Sequence, residues 1–124
     1  MVRRHYSPDL ANRSLPLVRR IAVDLRDNAR AIQTAWLLLQ KPGHGNRQVL
    51  QQRLDDLREQ FQALVRELEQ LGVELKDPLT GLLDFRAMRA GEEVYLCWRI
   101  GEDHVGHWHS LDGGFAARRP LSEY

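Results

Sequence analysis

The chain has a single cysteine, Cys97, so it forms no internal disulfide, which suits a reducing compartment and predicts a cytoplasmic protein. No apolar run approaches the ~20 residues needed to span a membrane. The opening MVRRHYSPDL has no apolar stretch behind its arginines and does not read as a secretory signal, so no membrane is expected among its partners. Glycines are scattered: there is no G-x-x-x-x-G-K and no G-x-G-x-x-G, which excludes a phosphate loop and a dinucleotide fingerprint. Lysine is nearly absent, two against sixteen arginines, a bias that reflects genome composition more than function. Aromatic residues are only 7% of the chain, which makes their crowding informative. Two of the three tryptophans, three of the five histidines and the cysteine all fall within residues 94–120.

What is present fits one soluble globular domain spanning residues 1–124. Charged residues are 28% and hydrophobic ones 43%, ordinary proportions for a packed core with a solvated surface. The net charge of +1 favours no partner, but its distribution is uneven. Residues 1–41 carry eight basic and three acidic side chains, whereas residues 73–124 carry six and nine. The basic segment reads as a solvated helix face complementing an acidic surface. Nucleic-acid binding is the weaker alternative.

Ser7-Pro8-Asp9 is a helix start: a capping hydroxyl, a proline at the first helical position and an acid at the positive end of the dipole. From there Ala11, Leu15, Val18, Ala22, Leu25, Ala29, Ile32, Trp36 and Leu39 recur in alternating steps of four and three. That is the 3.5-residue period of a helix packed along a seam. Pro16 should kink this helix or split off its first turn, with Ser14 capping the remainder. Lys41-Pro42-Gly43-His44-Gly45-Asn46 is a break. Leu50, Leu54, Leu57, Phe61, Leu64, Leu68 and Leu71 then repeat the spacing until Gly72 stops it. Two long helices with a short connection must run antiparallel, so residues 8–72 form a coiled-coil-like helical hairpin. The first helix carries a second apolar strip, Leu10, Leu17, Ile21, Ala31, Ala35 and Leu38, interrupted by Asp24 and Asn28. That strip asks for further cover, and a homodimer with four helices about a two-fold axis would supply it.

After Gly72 the period shortens to that of strands. Residues 73–76 alternate, residues 77–81 turn, residues 82–85 make a second short strand and residues 86–91 a loop or helical turn. Residues 93–100 form the best strand, and 104–109 return after a turn at Gly101-Glu102-Asp103. The expected fold is α+β: the helical hairpin, an antiparallel β-meander of three to four strands over 73–110, and an irregular tail over 111–124.

Chemistry concentrates on the returning strand. His107 and His109 are two apart, so their imidazoles share a face, a half-site for a divalent metal such as zinc that Asp112 could complete. Without a metal the histidines would stack on Trp98 or hydrogen-bond to Asp112. The register of the strand pair decides the neighbours. If Glu102 and Asp103 alone form the tip, Trp98 opposes His107; a three-residue tip sets Arg99 against His107 and Cys97 against His109. A nucleophilic dyad of Cys97 with His109 is the weakest option, because a mid-strand cysteine is more often a small buried hydrophobe. Asp112-Gly113-Gly114-Phe115 with Arg118 and Arg119 behind it makes an anion site conceivable, though a tight turn whose arginines pair with acids is the plainer reading. Most of the aspartates are turn formers. Asp84 stands apart, set between Leu83 and Phe85 near a strand end.

Taken together these segments resemble a family of small bacterial proteins catalogued as domain of unknown function 2203. The resemblance rests on Tyr6-Ser7-Pro8-Asp9-Leu10-Ala11-Asn12 and Leu15-Pro16. Residues 72–77, 81–85, 94–99 and 108–116 carry it through to the end of the chain. Ala117 stands where the family pattern has a glycine, with Arg118 and Pro120 at its arginine and proline. His107 stands where the family often has another aromatic, which leaves His109, Asp112 and Arg118 as the better site candidates. The resemblance implies no activity. The leading expectation is an interaction or scaffold module that dimerises through its helices, with a Trp98 and Trp108 face for a protein partner. The alternatives are a metal- or anion-binding site, enzymatic or not, around His109, Asp112 and Arg118, and a weak nucleic-acid binder through the first helix.

Overall fold

A computed structural model describes residues 5–41, 43 and 46–124. The fold is α+β, two helices followed by a five-stranded antiparallel sheet. Helix α1 runs Pro8–Gln40 and α2 runs Arg47–Leu71. The strands are β1 Val73–Asp77, β2 Leu82–Arg89, β3 Glu92–Arg99, β4 His107–Ser110 and β5 Arg119–Pro120, in that order across the sheet. Among the described residues no helix is long and apolar enough to cross a membrane.

Local chemistry sets most of these boundaries. The Ser7 hydroxyl accepts from the Leu10 N–H at 3.1 Å and starts α1. The Asn46 side chain does the same for α2 through the Gln48 N–H. Gly72 closes α2 at φ 77°, a left-handed cap. Of the break between the helices, Pro42, His44 and Gly45 lie outside the described residues. The helix passes through Pro16 unbroken, contrary to the expected split. Strand β2 is also longer than expected. It continues through Arg86 to Arg89, and Ala90 (φ 51°) with Gly91 (φ 84°) makes a two-residue turn into β3. Both φ values are positive, the backbone that matches the twist of a tight hairpin. Arg86 belongs in the strand because its guanidinium bridges Glu74 on β1 and Glu93 on β3.

The first half of the α1 seam packs as its spacing predicts: Ala11, Leu15, Val18, Ala22 and Leu25 are buried. They meet Leu68 of α2 and one face of the sheet, where Leu83, Phe85, Leu96, Trp98 and Trp108 project. Each such side chain taken from water contributes roughly 1.5–3 kcal/mol. Beyond Leu25 the seam rotates: Asn28 and Ala35 are buried in place of Ala29 and Trp36, and Trp36 is 48% exposed. The cause is a polar layer, in which the Asn28 amide donates to Gln60 Oε1 at 3.3 Å. It separates the sheet-side core from a smaller cluster of Ala35, Leu39, Leu54 and Leu57.

The tail is more ordered than expected. Residues Phe115–Ala117 and Leu121–Glu123 form 3₁₀ turns, and β5 pairs with β4. Its first part lies on the face of the sheet turned away from the helices, with Arg118 and Arg99 stacked on Phe115. Its end returns to the core, where Leu121 and Tyr124 pack and Tyr124 meets Trp108.

Candidate metal centre

Alternation along the strands gives the sheet two different faces. Apolar residues take the helix side. The outer side receives Glu74 and Lys76 from β1, Asp84 and Arg86 from β2, Tyr95 and Cys97 from β3, and His107 and His109 from β4. Asp84 is paired with Cys97, and Cys97 in turn with His107. His109 is opposite Tyr95 and Leu96 opposite Trp108. This register is neither of the two expected, because the connection between β3 and β4 is longer than a tight tip. Asn12 holds it open: its side-chain oxygen accepts from the Val105 N–H at 2.8 Å, and its amide donates to the Val105 carbonyl. Arg19, two turns further along α1, donates to the Asp103 carbonyl.

The register brings Asp84, Cys97 and His109 together. All three are buried, and one donor atom from each lies within 4.8 Å of the others. His109 Nε2 is 3.1 Å from both Asp84 carboxylate oxygens. Its Nδ1 is 2.7 Å from the Ser110 carbonyl. A carbonyl only accepts, so Nδ1 carries a proton, and in the neutral ring the lone pair sits on Nε2, facing the carboxylate. Such a contact needs a proton or a cation between the two groups. Burial raises the Asp84 carboxyl above its usual range, and the His109 contact opposes that only in part. Burial, and then the Asp84 charge, push the Cys97 thiol up to about 12. A free thiolate is therefore absent at neutral pH, and the Cys97–His109 pair lacks the nucleophile of a hydrolytic dyad.

The trio borders a small pocket of about 220 Å³, closed by Leu82, Leu111 and Phe115 and edged by Lys76 and Asp112. Around it the charges are paired. Lys76 Nζ is 3.2 Å from Glu74 and stacks on Tyr95 at 4.7 Å. The Tyr95 hydroxyl donates to Glu74. Arg118 binds Glu102 at 2.6 Å; that hydrogen bond is the main reason its guanidinium holds its proton more tightly than usual. Burial opposes ionisation of Glu102, but Arg118, the Arg99 N–H and His107 together outweigh it and lower the carboxyl.

The other sequence candidates fall in different places. His107 shares the outer face but stands outside the trio, 4.0 Å from Glu102. Asp112 is exposed at the pocket edge, and its carboxylate is not among the grouped donors. Of the expected set of His107, His109 and Asp112, only His109 joins the grouped donors, beside Asp84 and Cys97. Trp98 is fully buried and Trp108 nearly so, both on the helix side, because strand alternation turns Trp98 away from Cys97 and Trp108 away from the two histidines. Neither offers a surface to a partner. Nor do the histidines stack on Trp98; His109 lies against Tyr95, ring centres 5.4 Å apart. Cys97 was the residue hardest to read, since burial is common to an inert cysteine and a ligand. The available signal was Asp84, a lone acid inside an apolar strand.

No curated protein and no solved structure matches the chain. A family model described as Uncharacterized conserved protein (DUF2203) matches residues 4–121, and the chain belongs to that family.

Proposed function

We propose that this DUF2203 protein binds one divalent metal ion, zinc by its donor set, through Asp84, Cys97 and His109. A single observation carries the reading: His109 Nε2, its ring oriented by the Nδ1 bond to the Ser110 carbonyl, converges with a buried carboxylate and a buried thiol. A ligating histidine characteristically donates its other nitrogen to a carbonyl or carboxylate, as His109 does. Two donors on one tetrahedral zinc stand about 3.3 Å apart, close to the spacing of His109 Nε2 from Asp84. Charge supports the same reading. One thiolate, one carboxylate and a neutral imidazole balance a dication, so the buried site becomes neutral when the ion replaces the protons. Three protein donors leave a fourth position, which the pocket beside them opens to water or a small ligand. That is the arrangement of zinc sites that polarise a bound molecule rather than only hold a fold.

Elemental analysis of untagged protein after zinc exposure and desalting tests this, with about one zinc per chain expected. Cobalt substitution should add a near-ultraviolet thiolate band that Cys97→Ser removes. Asp84→Asn and His109→Ala should release the metal, whereas His107→Ala and Asp112→Asn should keep it. Less than about 0.1 zinc per wild-type chain would end the proposal.

A second reading is favoured by the helices. The protein also acts as an interaction module that pairs with itself through α1. Leu17 is 49% exposed, and further along α1 a groove of about 500 Å³ lies between the helices, lined by Asp24, Asn28, Leu57 and Leu64 among others. Light scattering at low micromolar concentration should give the mass of two chains, and a monomer there would count against it.

A further inference from the structure

The partner-facing stripe of α1 is self-complementary. Arg13, Leu17, Arg20, Asp24, Asp27 and Ala31 follow one another in steps of four and three, so they lie along one side of the helix. None of the six is fully buried. The first half of this stripe is basic and the second half acidic. Among the described residues, neither Arg20 nor Asp24 has a partner, whereas Asp27 is held by Arg26. The acidic half borders the groove described above. Its four α1 residues, Asp24, Asp27, Asn28 and Ala31, stand at positions i, i+3, i+4 and i+7, the corners of a hole that accepts one side chain from a facing helix. Leu57 and Leu64 of α2 give the groove an apolar floor. Beside it, Asn28 Oδ1 is buried and has no hydrogen-bond partner among the described residues, a cost already met by the single chain.

We infer that a second copy of this chain docks its α1 antiparallel on this stripe, about a two-fold axis between Arg20 and Asp24. This inference rests on the second reading above and defines its surface; it is independent of the metal centre. With the axis there, Arg20 of each copy meets Asp24 of the other. Leu17 of each copy then lies over the hole framed by Asp24 and Ala31. The symmetry makes every contact occur twice, which is how a half-basic, half-acidic stripe satisfies itself. A parallel arrangement would set arginine against arginine and aspartate against aspartate, an unfavourable juxtaposition. The ion pairs select the orientation, and burial of Leu17 supplies most of the attraction.

Charge exchange tests this surface. Sedimentation equilibrium would compare the wild type with Arg20→Asp, Asp24→Arg and the double exchange, with circular dichroism confirming that each variant is folded. Both positions are exposed, so folding should survive. Each single exchange should weaken the dimer at least about tenfold, and the double exchange should restore it to within about threefold. Leu17→Asp should weaken it with no rescue from either exchange. A wild-type monomer at about 100 μM would remove both the second reading and this surface. A wild-type dimer indifferent to the single exchanges would leave self-association standing and overturn this surface. Singles that dissociate without rescue in the double exchange would overturn the Arg20–Asp24 pairing.

Discussion

Two forces acting in the same direction keep the proton on Cys97. Burial denies water to a thiolate, and the neighbouring Asp84 carboxylate repels it, so the thiol moves from 9.0 to about 12. An unfolded chain ionises this thiol near its ordinary value, while the folded chain keeps the proton. Between pH 9 and pH 12 the folded state therefore binds more protons, and metal-free stability must fall as pH rises, by up to about tenfold in the folding equilibrium per pH unit. Tyr95 adds to the same slope, since burial and then its bond to Glu74 raise its hydroxyl. The Cys97 share is isolated by comparison: urea titrations at pH 9, 10 and 11 should give a steeper loss for the wild type than for Cys97→Ala. Equal slopes would mean the thiol ionises freely and is not enclosed as described. Zinc should abolish the difference, because the metal has already displaced that proton.

At the scale of elements, the turn between β1 and β2 sets where Asp84 enters the sheet. Gly81 has φ 69°, and a Cβ on it would lie 2.2 Å from Ile100 Cδ1 and 2.4 Å from Ile100 Cγ1. The Gly81 carbonyl also accepts from the Ile100 N–H. Gly91 shares the backbone strain, with φ 84°, but has open space around its Cβ direction. Gly81→Ala should therefore cost about 1–3 kcal/mol, and Gly91→Ala only about 1 kcal/mol, in chemical denaturation. Equal losses would show that the approach of Ile100 is of no consequence. Helix α1 reveals the opposite kind of local rule. Pro16 lacks a donor, yet the helix is unbroken through it, with Leu15 and Val18 on either side anchored in the core. Packing of these neighbours outweighs one missing backbone bond.

Across the whole molecule, the proposed metal site joins three strands that follow one another in the chain: Asp84 from β2, Cys97 from β3 and His109 from β4. Asn12 of α1 also holds the connection that leads from β3 to β4. An ion that binds only the assembled site must stabilise all of this together. Zinc at a hundredfold excess over its dissociation constant should add about 2.7 kcal/mol to unfolding and raise the melting temperature, reversibly with chelator. In Asp84→Asn the melting temperature should be indifferent to zinc. If it rises as in the wild type, the ion acts elsewhere on the chain. The tail belongs to this scale as well, because Leu111 and Phe115 close the pocket.

The amino-acid sequence by itself determined the helical hairpin, its caps and the strand-rich second half, because these follow from spacing and from neighbours a few residues away. The 3.5-residue steps through Leu25 could be read without coordinates, as could the Ser7 cap and the Gly72 stop. So could the shared face of His107 and His109. The tertiary structure alone decided the register of β3 on β4, and with it the identity of the site. Asn12 is 93 residues from Val105, and no local pattern announces that their hydrogen bonds lengthen a turn. With that longer connection, Cys97 stands opposite His107 and His109 reaches Asp84. Strand alternation assigns a residue to a face, but only the lateral positions of neighbouring strands determine which residues meet there.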